Sequence, residues 1–143
     1  MNVPIVTRDW REVPISTLAY IGDAVYELYA RIYACNHCHG KSGQLHRQSV
    51  SLVKAQAQAQ AVRRLMPHLN DDELSVYKRG RNSQPASRSK HAEPADYLMA
   101  TGLEALIGYL SLKNEDQRLD QLMTMILEET TDETGAKEET AAT

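Results

Sequence analysis

The sequence predicts an all-α protein, a bundle of five helices with an irregular start and a polar tail. Three observations support this prediction. Apolar residues recur every three or four positions in separate segments, Pro and Gly fall between those segments, and no alternating stretch has the β-branched composition of a strand. With 143 residues, the chain is long enough to form one domain with its own core.

The overall charge limits the classes of partner. A net charge of −3 provides no general basic field, so contact with a nucleic acid would need a local basic patch. No apolar run is long enough for a signal peptide or a membrane span. We therefore expect a cytoplasmic protein with no membrane partner.

The first helix is predicted from about Ser16 to Cys35, after an irregular lead-in whose single Trp10 is expected to pack on the edge of the core. Its core face is predicted to consist of Leu18, Ile21, Val25, Leu28 and Ile32. The opposite face has small or acidic residues, namely Ala19, Asp23, Glu27 and Ala30. Because the helix is apolar or small almost all round, Asp23 is expected to be buried. A buried acid needs a cationic partner, a backbone donor or a metal ion.

The two cysteines follow this helix in a pattern with several interpretations. Residues Cys35 to His39 match C-x-x-C-H, the motif of covalent haem attachment, but such attachment requires export and no export signal is present. Zinc would lack a second Cys pair to complete a structural site. We expect two reduced thiols, as in a reducing compartment, and keep haem and zinc as alternatives.

A second helix is predicted from Gln44 to Met66, where Pro67 ends it. Its AQAQAQA segment, residues 55–61, consists of good helix formers, and we interpret the Gln side chains as a solvated face. A third helix is predicted after Asn70, which stands three residues before Glu73 as in a capping box, and it ends before Gly80.

The segment from Lys78 to His91 contains five Lys or Arg residues and no acid. Such a run is often only solvated surface, but it also provides the donors that phosphate contacts need. The candidate nucleic-acid-binding residues are Lys78, Arg79, Arg81, Asn82, Arg88 and Lys90.

A fourth helix is predicted from Tyr97 to Leu112, with Met99, Leu103, Leu106, Ile107 and Leu110 on its apolar face. Its Gly102 and Gly108 lower helix stability, which is explained if another backbone or a ligand comes close. Glu104 lies beside the apolar face, so a second acid in an apolar setting is expected.

A fifth helix is predicted from Asn114, as its N-cap, to about Glu129, with a seam of Leu119, Leu122, Met123, Ile126 and Leu127. The residues after it are acidic, rich in Thr and Ala, and without a large apolar side chain. Residues 130–143 are therefore expected to form a disordered acidic tail.

Two of these helices resemble the ribonuclease III family. LAYIGDAVYE (18–27) resembles its signature helix, which carries L-E-F-L-G-D-A, and LEALIGYL (103–110) resembles its later helix, whose D-x-x-E-A-L-I-G has the same ending. With the helix around LHRQSVSLVKAQAQA, the resemblance covers most of residues 16–112. It implies a helical endonuclease domain, assigned to residues 1–129, that forms a two-fold homodimer with Tyr20 and Tyr26 near the interface.

Only a tail follows the last predicted helix, where ribonuclease III proper has a double-stranded-RNA-binding domain. Together with AYIGDA and KRGRN, this resembles Mini-ribonuclease III, the small bacterial form of the family, whose members mature the ends of 23S ribosomal RNA. The resemblance implies Mg²⁺-dependent cleavage of double-stranded RNA, with the 23S precursor as substrate. Whether a ribosomal protein must first shape that RNA stays open.

Taken residue by residue, the resemblance implies that Asp23 and Glu104 are the catalytic residues and hold the metal. Two positions depart from the family pattern, because Ala19 and Thr101 stand where the family has Glu and Asp. The number of metal ions and the role of Glu27 therefore stay open. The same two departures support an alternative function, a non-catalytic assembly factor that binds ribosomal RNA.

Overall fold

The computed structural model describes residues 7–83 and 93–128. Within these ranges the chain forms six α-helices and two 3-10 turns, Trp10–Glu12 and Met66–His68, and contains no β-strand, so the all-α prediction is confirmed. The helices are α1 (Ile15–His37), α2 (Ser42–Val53), α3 (Ala55–Leu65), α4 (Asp71–Arg81), α5 (Pro94–Leu112) and α6 (residues 116–128).

Helix α5 is the centre of the bundle. It contacts α1, α3 and α4, and every residue from Ala100 to Leu110 is buried except the partly exposed Glu104. The predicted apolar face of α5 is confirmed, because four of its five residues are almost completely buried, namely Leu103, Leu106, Ile107 and Leu110. The apolar seam of α6 joins the same core, as predicted, through Leu119, Leu122, Met123, Ile126 and Leu127.

The glycines of α5 allow the close helix contacts that the sequence suggested. A Cβ atom at Gly102 would lie 2.7 Å from the ring of Tyr77 on α4. A Cβ atom at Gly108 would lie 2.0 Å from the carbonyl oxygen of Leu18 on α1. Both distances are too short for any side chain, so these positions need glycine.

The predicted core face of α1 is wrong in its second half. Leu28 and Ile32 are 36% and 52% exposed, and α1 instead buries Leu18, Ala19, Gly22, Tyr26, Ala30 and Ala34. This face is built mostly from small residues, so the backbone of α1 can approach α5 closely and gain dense packing. Tyr26 is 1% exposed in the core, which contradicts its predicted interface position, whereas Tyr20 is 80% exposed.

The predicted second helix is two helices. Lys54 has an extended conformation (φ −61°, ψ 145°) that ends α2 at Val53 and begins α3 at Ala55. No Pro or Gly marks this break. The Gln58 side chain donates to the carbonyl oxygen of Val53 at 3.0 Å, which satisfies an acceptor that the end of α2 leaves free.

Of the two predicted helix caps, the one at α4 is confirmed and the one at α6 is wrong. The capping box is confirmed, because the side chains of Asn70 and Glu73 each accept a hydrogen bond from the other residue's backbone N–H. Asn114 does not cap α6. It has a positive φ of 55° and follows the end of α5, where the N–H of Glu115 donates to the carbonyl of Leu110, as in a Schellman motif.

The remaining predictions concern Trp10, the two cysteines, membrane-spanning helices and the C-terminal tail. Trp10 is partly buried at the core edge and packs edge-on against Tyr109, with ring centroids 4.9 Å apart, as predicted. Cys35 is exposed and Cys38 is partly exposed at the end of α1. In residues 7–83 and 93–128, no helix has the length and apolar character needed to cross a membrane. The predicted tail, residues 130–143, lies outside the described residues.

Candidate active site

The site lies where α1 and α5 cross in backbone contact. A Cβ atom at Gly22 would lie 1.7 Å from the carbonyl oxygen of Glu104 and 2.7 Å from the backbone nitrogen of Gly108. The residue after Gly22 is Asp23, so the crossing brings the two predicted acids, Asp23 and Glu104, into one neighbourhood. The negative charge of Asp23 acts on Glu104 strongly enough to raise its pKa.

Glu104 is the more enclosed of the two acids. Burial and the neighbouring charge of Asp23 raise the pKa of Glu104 to about 7, and a hydrogen bond from Gln58 partly offsets this rise. That bond joins Nε2 of Gln58 to Oε1 of Glu104 at 3.2 Å. A carboxyl group in this setting favours a bound cation, because the cation removes the penalty on its ionised form.

Asp23 is solvent-exposed, so the expectation that it is buried is wrong. Partial burial and the charge of Glu27 still raise its pKa. Glu27, one turn further along α1, forms an ion pair with Arg31 at 2.6 Å. Asp23 therefore reaches solvent beside the enclosed Glu104, and the site is open on one side to a charged ligand.

The two positions that depart from the family pattern add no ligand. Ala19 is buried against the core, and the hydroxyl of Thr101 donates to the carbonyl of Tyr97 at 3.0 Å. In the part of the chain that the structure describes, no three His, Cys, Asp or Glu side chains come together as a metal cluster. Among the described residues, the candidate site therefore contains two carboxylates, those of Asp23 and Glu104.

Gln58 is a member of this site that the sequence reasoning missed. The AQAQAQA segment was interpreted as a solvated face, but Gln58 is 3% exposed, while Gln56 lies in solvent. The three glutamines look alike in sequence. Because Gln56 and Gln58 are two residues apart on α3, their side chains point to opposite sides of the helix, and Gln58 lies on the side towards Glu104.

The predicted nucleic-acid-binding residues of α4 lie at its C-terminal end. Lys78 and Arg79 are exposed, and among the described residues no acid forms an ion pair with either. With Asn82 they line an open groove of about 620 Å³, whose lining contains one acid, Asp71.

The other basic residues of this segment are Arg81, which contacts its own helix, and two residues that the structure does not describe. The Nε–H of Arg81 donates to Oδ1 of Asn82 at 3.3 Å, and its guanidinium lies over the ring of Tyr77, 5.7 Å from the centroid. Arg81 is therefore held against the protein more firmly than its neighbours. Arg88 and Lys90 lie outside the described residues.

Comparison with known proteins identifies relatives over most of the chain. The model of the Ribonuclease III domain matches residues 16–115. Relatives named Mini-ribonuclease 3 occur in several bacteria, including the following three. The one from Clostridium tetani is 42% identical over 84% of this chain and 80% of its own. The one from Desulfitobacterium hafniense is 40% identical over 94% of this chain and 86% of its own. The one from Synechocystis is 44% identical over 76% of this chain and 74% of its own.

A solved structure shares the fold. The crystal structure of a protein from Fusobacterium nucleatum superposes with a TM-score of 0.76 at 23% identity, covering 85% of this chain and 98% of the other. This similarity supports the helical fold of the chain.

Proposed function

The chain belongs to the ribonuclease III family and is an endoribonuclease; we propose that it cleaves double-stranded RNA with Mg²⁺ and matures the ends of the 23S ribosomal RNA precursor in the cytoplasm. The observation that carries this proposal is the pairing of Asp23 with the enclosed Glu104 at the backbone crossing of α1 and α5.

The donor set suits Mg²⁺. This ion is usually bound by one or two carboxylates and keeps several of its waters, so a site with two acids is sufficient. Asp23 and Glu104 would hold it. When bound, Mg²⁺ lowers the pKa of a water to provide the nucleophile and neutralises charge on the phosphate.

The protein's own side chains prepare the reaction. Glu104 is held by Gln58 in a partly buried position, and Asp23 faces solvent where the RNA backbone would approach. The repulsion between the two carboxylates is relieved when a cation binds, so binding should also stabilise the fold. The charge of the site therefore selects a cation first and a phosphate only afterwards.

Recognition of the RNA would use the groove at the end of α4. Lys78, Arg79 and Asn82 supply two cations and an amide along one open surface. An A-form duplex presents its phosphates and 2′-hydroxyls in a shallow minor groove, which favours recognition by shape over recognition by sequence. Arg88 and Lys90 belong to the same basic segment of the sequence and remain candidates for RNA contacts.

A second copy of the chain would complete the enzyme. Cutting both strands of a duplex requires two sites, and α1 has an exposed apolar stripe of Tyr20, Leu28 and Ile32, spaced by multiples of four residues on one helix. Large apolar side chains along one exposed stripe are typical of an interface. The homodimer that we propose buries this stripe.

The test of the proposal is cleavage by the purified protein of a long RNA duplex and of a 23S precursor, each with and without Mg²⁺. We expect Mg²⁺-dependent cuts in both strands of the duplex and defined cuts at the paired ends of the precursor, mapped by sequencing the products. The precursor is also tested with ribosomal proteins bound, to reveal whether one of them must shape it.

The absence of acids at Ala19 and Thr101 favours one alternative, an assembly factor that binds ribosomal RNA without cutting it. Salt-sensitive binding of the precursor with no cleavage of any substrate would support this alternative and overturn the nuclease proposal. Against it, a protein that only binds RNA gains nothing from an enclosed acid such as Glu104, which apolar residues could replace without loss.

A further inference from the structure

Gln58 has an environment that a solvated helix position does not explain. It lies on α3 with 3% of its surface exposed, and its amide sits between the end of α2 and the acid on α5. A buried amide is tolerated only where its polar atoms find partners. The partners of Gln58 therefore indicate what the residue does.

Both N–H groups of the amide are used. Nε2 donates to the carbonyl oxygen of Val53 at 3.0 Å and to Oε1 of Glu104 at 3.2 Å. Both neighbours are acceptors, so the amide can be oriented in only one way, with its nitrogen towards them. One side chain thus ties the junction of α2 and α3 to the acid of the candidate site.

The carbonyl end of the amide is not used by the protein. Oε1 of Gln58 is buried and accepts no hydrogen bond from the described residues. In an amide group the oxygen and the nitrogen are bonded to the same carbon, at about 1.23 and 1.33 Å. Since Nε2 lies 3.2 Å from Oε1 of Glu104, Oε1 of Gln58 lies no more than about 6 Å from that atom. A buried acceptor near the Glu104 carboxylate suits a water molecule in the site.

We propose that Gln58 is a positioning residue of the hydrolytic site: its Nε2 fixes one carboxylate oxygen of Glu104 and leaves the other for the cation, while its Oε1 accepts a hydrogen bond from water bound beside Glu104. This inference rests on the proposed function. It gives α3 a role in catalysis, because Gln58 lies on the buried face of α3 with Ala61 and Leu65.

A simpler role for Gln58 would be purely structural. The bond to Val53 satisfies the end of α2, and its loss alone would lower stability without affecting the cation. The two roles differ in what they predict for cation affinity. Residues that orient a metal ligand typically change metal affinity or activity about 10- to 100-fold when they are removed.

The experiment compares Gln58→Met, which keeps the length of the side chain and removes both hydrogen-bonding ends, with Gln56→Met. Gln56 is exposed on the same helix two residues earlier, so it is a matched control. Mg²⁺ affinity is measured by calorimetry on metal-free protein, kcat and KM with an RNA duplex, and Tm by thermal denaturation.

For Gln58→Met we expect Mg²⁺ affinity and kcat to fall by about 10- to 100-fold, with KM within about twofold of the wild type. Gln56→Met should leave Mg²⁺ affinity, kcat and KM within about twofold of the wild type and should leave Tm unchanged, since it removes no partner. A second variant guards against misfolding. Gln58→Asn keeps a buried amide but is one methylene shorter, so it withdraws from Val53 and Glu104 alike, which lie 3.0 and 3.2 Å from Nε2. It should lose Mg²⁺ affinity and kcat, and its Tm shows that the protein remains folded.

Wild-type-like Mg²⁺ affinity in both Gln58 variants, with a change in Tm alone, would overturn the positioning role. If the wild type cleaves no RNA, the proposed function fails, but the calorimetric comparison of the same variants still decides the role of Gln58. The two failures are therefore distinguishable.

Discussion

Gly22 and Glu104 are in backbone contact, since a Cβ atom at Gly22 would lie 1.7 Å from the carbonyl oxygen of Glu104. The contact sets how closely α1 approaches α5, and it thereby fixes the separation of Asp23 from Glu104. The close packing of α1 on α5 and the geometry of the candidate site are thus the same feature.

Gly22→Ala should destabilise the protein by about 3 kcal/mol or more, because the added methyl forces two backbones apart in a packed core. Gly43→Ala is the control, since a Cβ atom there meets nothing closer than Arg47 at 3.8 Å. Urea denaturation of both variants measures the difference. Equal stability of the two variants would show that α1 and α5 are not in contact at Gly22.

The pair of Glu73 and Arg118 predicts a stability that depends on pH. Glu73 is 1% exposed and accepts hydrogen bonds at 2.8 Å from the Nε and Nη2 of Arg118. Burial opposes ionisation of Glu73, but the bonds from Arg118 and the backbone of Asn70 outweigh it, so its pKa lies below the ordinary 4.5. A lowered pKa contributes stability that is complete above pH 4.5 and is lost as the pH falls through the folded value.

Arg118→Met should therefore cost about 3 kcal/mol at pH 7, because it leaves a buried acid without its cation, and clearly less at pH 3. Arg63→Met removes a partly exposed pair with Asp96 at 3.7 Å and should cost less than about 1 kcal/mol at either pH. Urea denaturation at the two pH values measures both. A cost for Arg118→Met that does not change with pH would contradict the ionised pair.

The exposed apolar stripe of α1 predicts a dimer that a single charged substitution in the stripe would dissociate. Ile32→Glu should shift the protein to monomers, since Ile32 is 52% exposed in the single chain and would be buried only in the dimer. Light scattering coupled to gel filtration gives the mass. Gln117→Glu, at an exposed position of α6, is the control. A wild type that is monomeric at every concentration would contradict the proposed interface.

The groove of α4 predicts how RNA binding depends on salt. Each lysine or arginine that contacts a phosphate contributes about 1 to the slope of log affinity against log salt, so replacing both Lys78 and Arg79 with Ala should reduce that slope by about 2. Binding to an RNA duplex is measured from low to moderate salt. Lys41→Ala, an exposed cation at the start of α2, should leave the slope unchanged. An unchanged slope in the double variant would exclude this groove from RNA binding.

Much of the fold follows from local patterns in the sequence. The capping box at Asn70, the apolar faces of α5 and α6, and the close approach at Gly108 each depend on residues whose spacing is visible in the chain. Asp23 and Glu104 were found through their helical setting and through family motifs.

The remaining features depend on tertiary contacts. The outer face of α1 was misassigned because Leu28 and Ile32 have the spacing of a core face, while the real contact uses small residues that bring backbones together. No Pro or Gly marks the helix break at Lys54 in the sequence. Gln58 lies on the same face of α3 as Ala61 and Leu65, three and seven residues later, so its burial is visible in the spacing, whereas its contact with Glu104 is visible only in the folded chain.

The most direct test of the central claim measures cleavage of an RNA duplex in Mg²⁺ by Asp23→Asn and Glu104→Gln, beside Asp116→Asn as a control of the same chemistry on α6. Each of the first two should lower kcat by at least about 100-fold, since a ligand of the cation is lost, while RNA affinity and the control stay near wild type. A folded Asp23→Asn or Glu104→Gln protein that cleaves RNA at the wild-type rate would contradict the account.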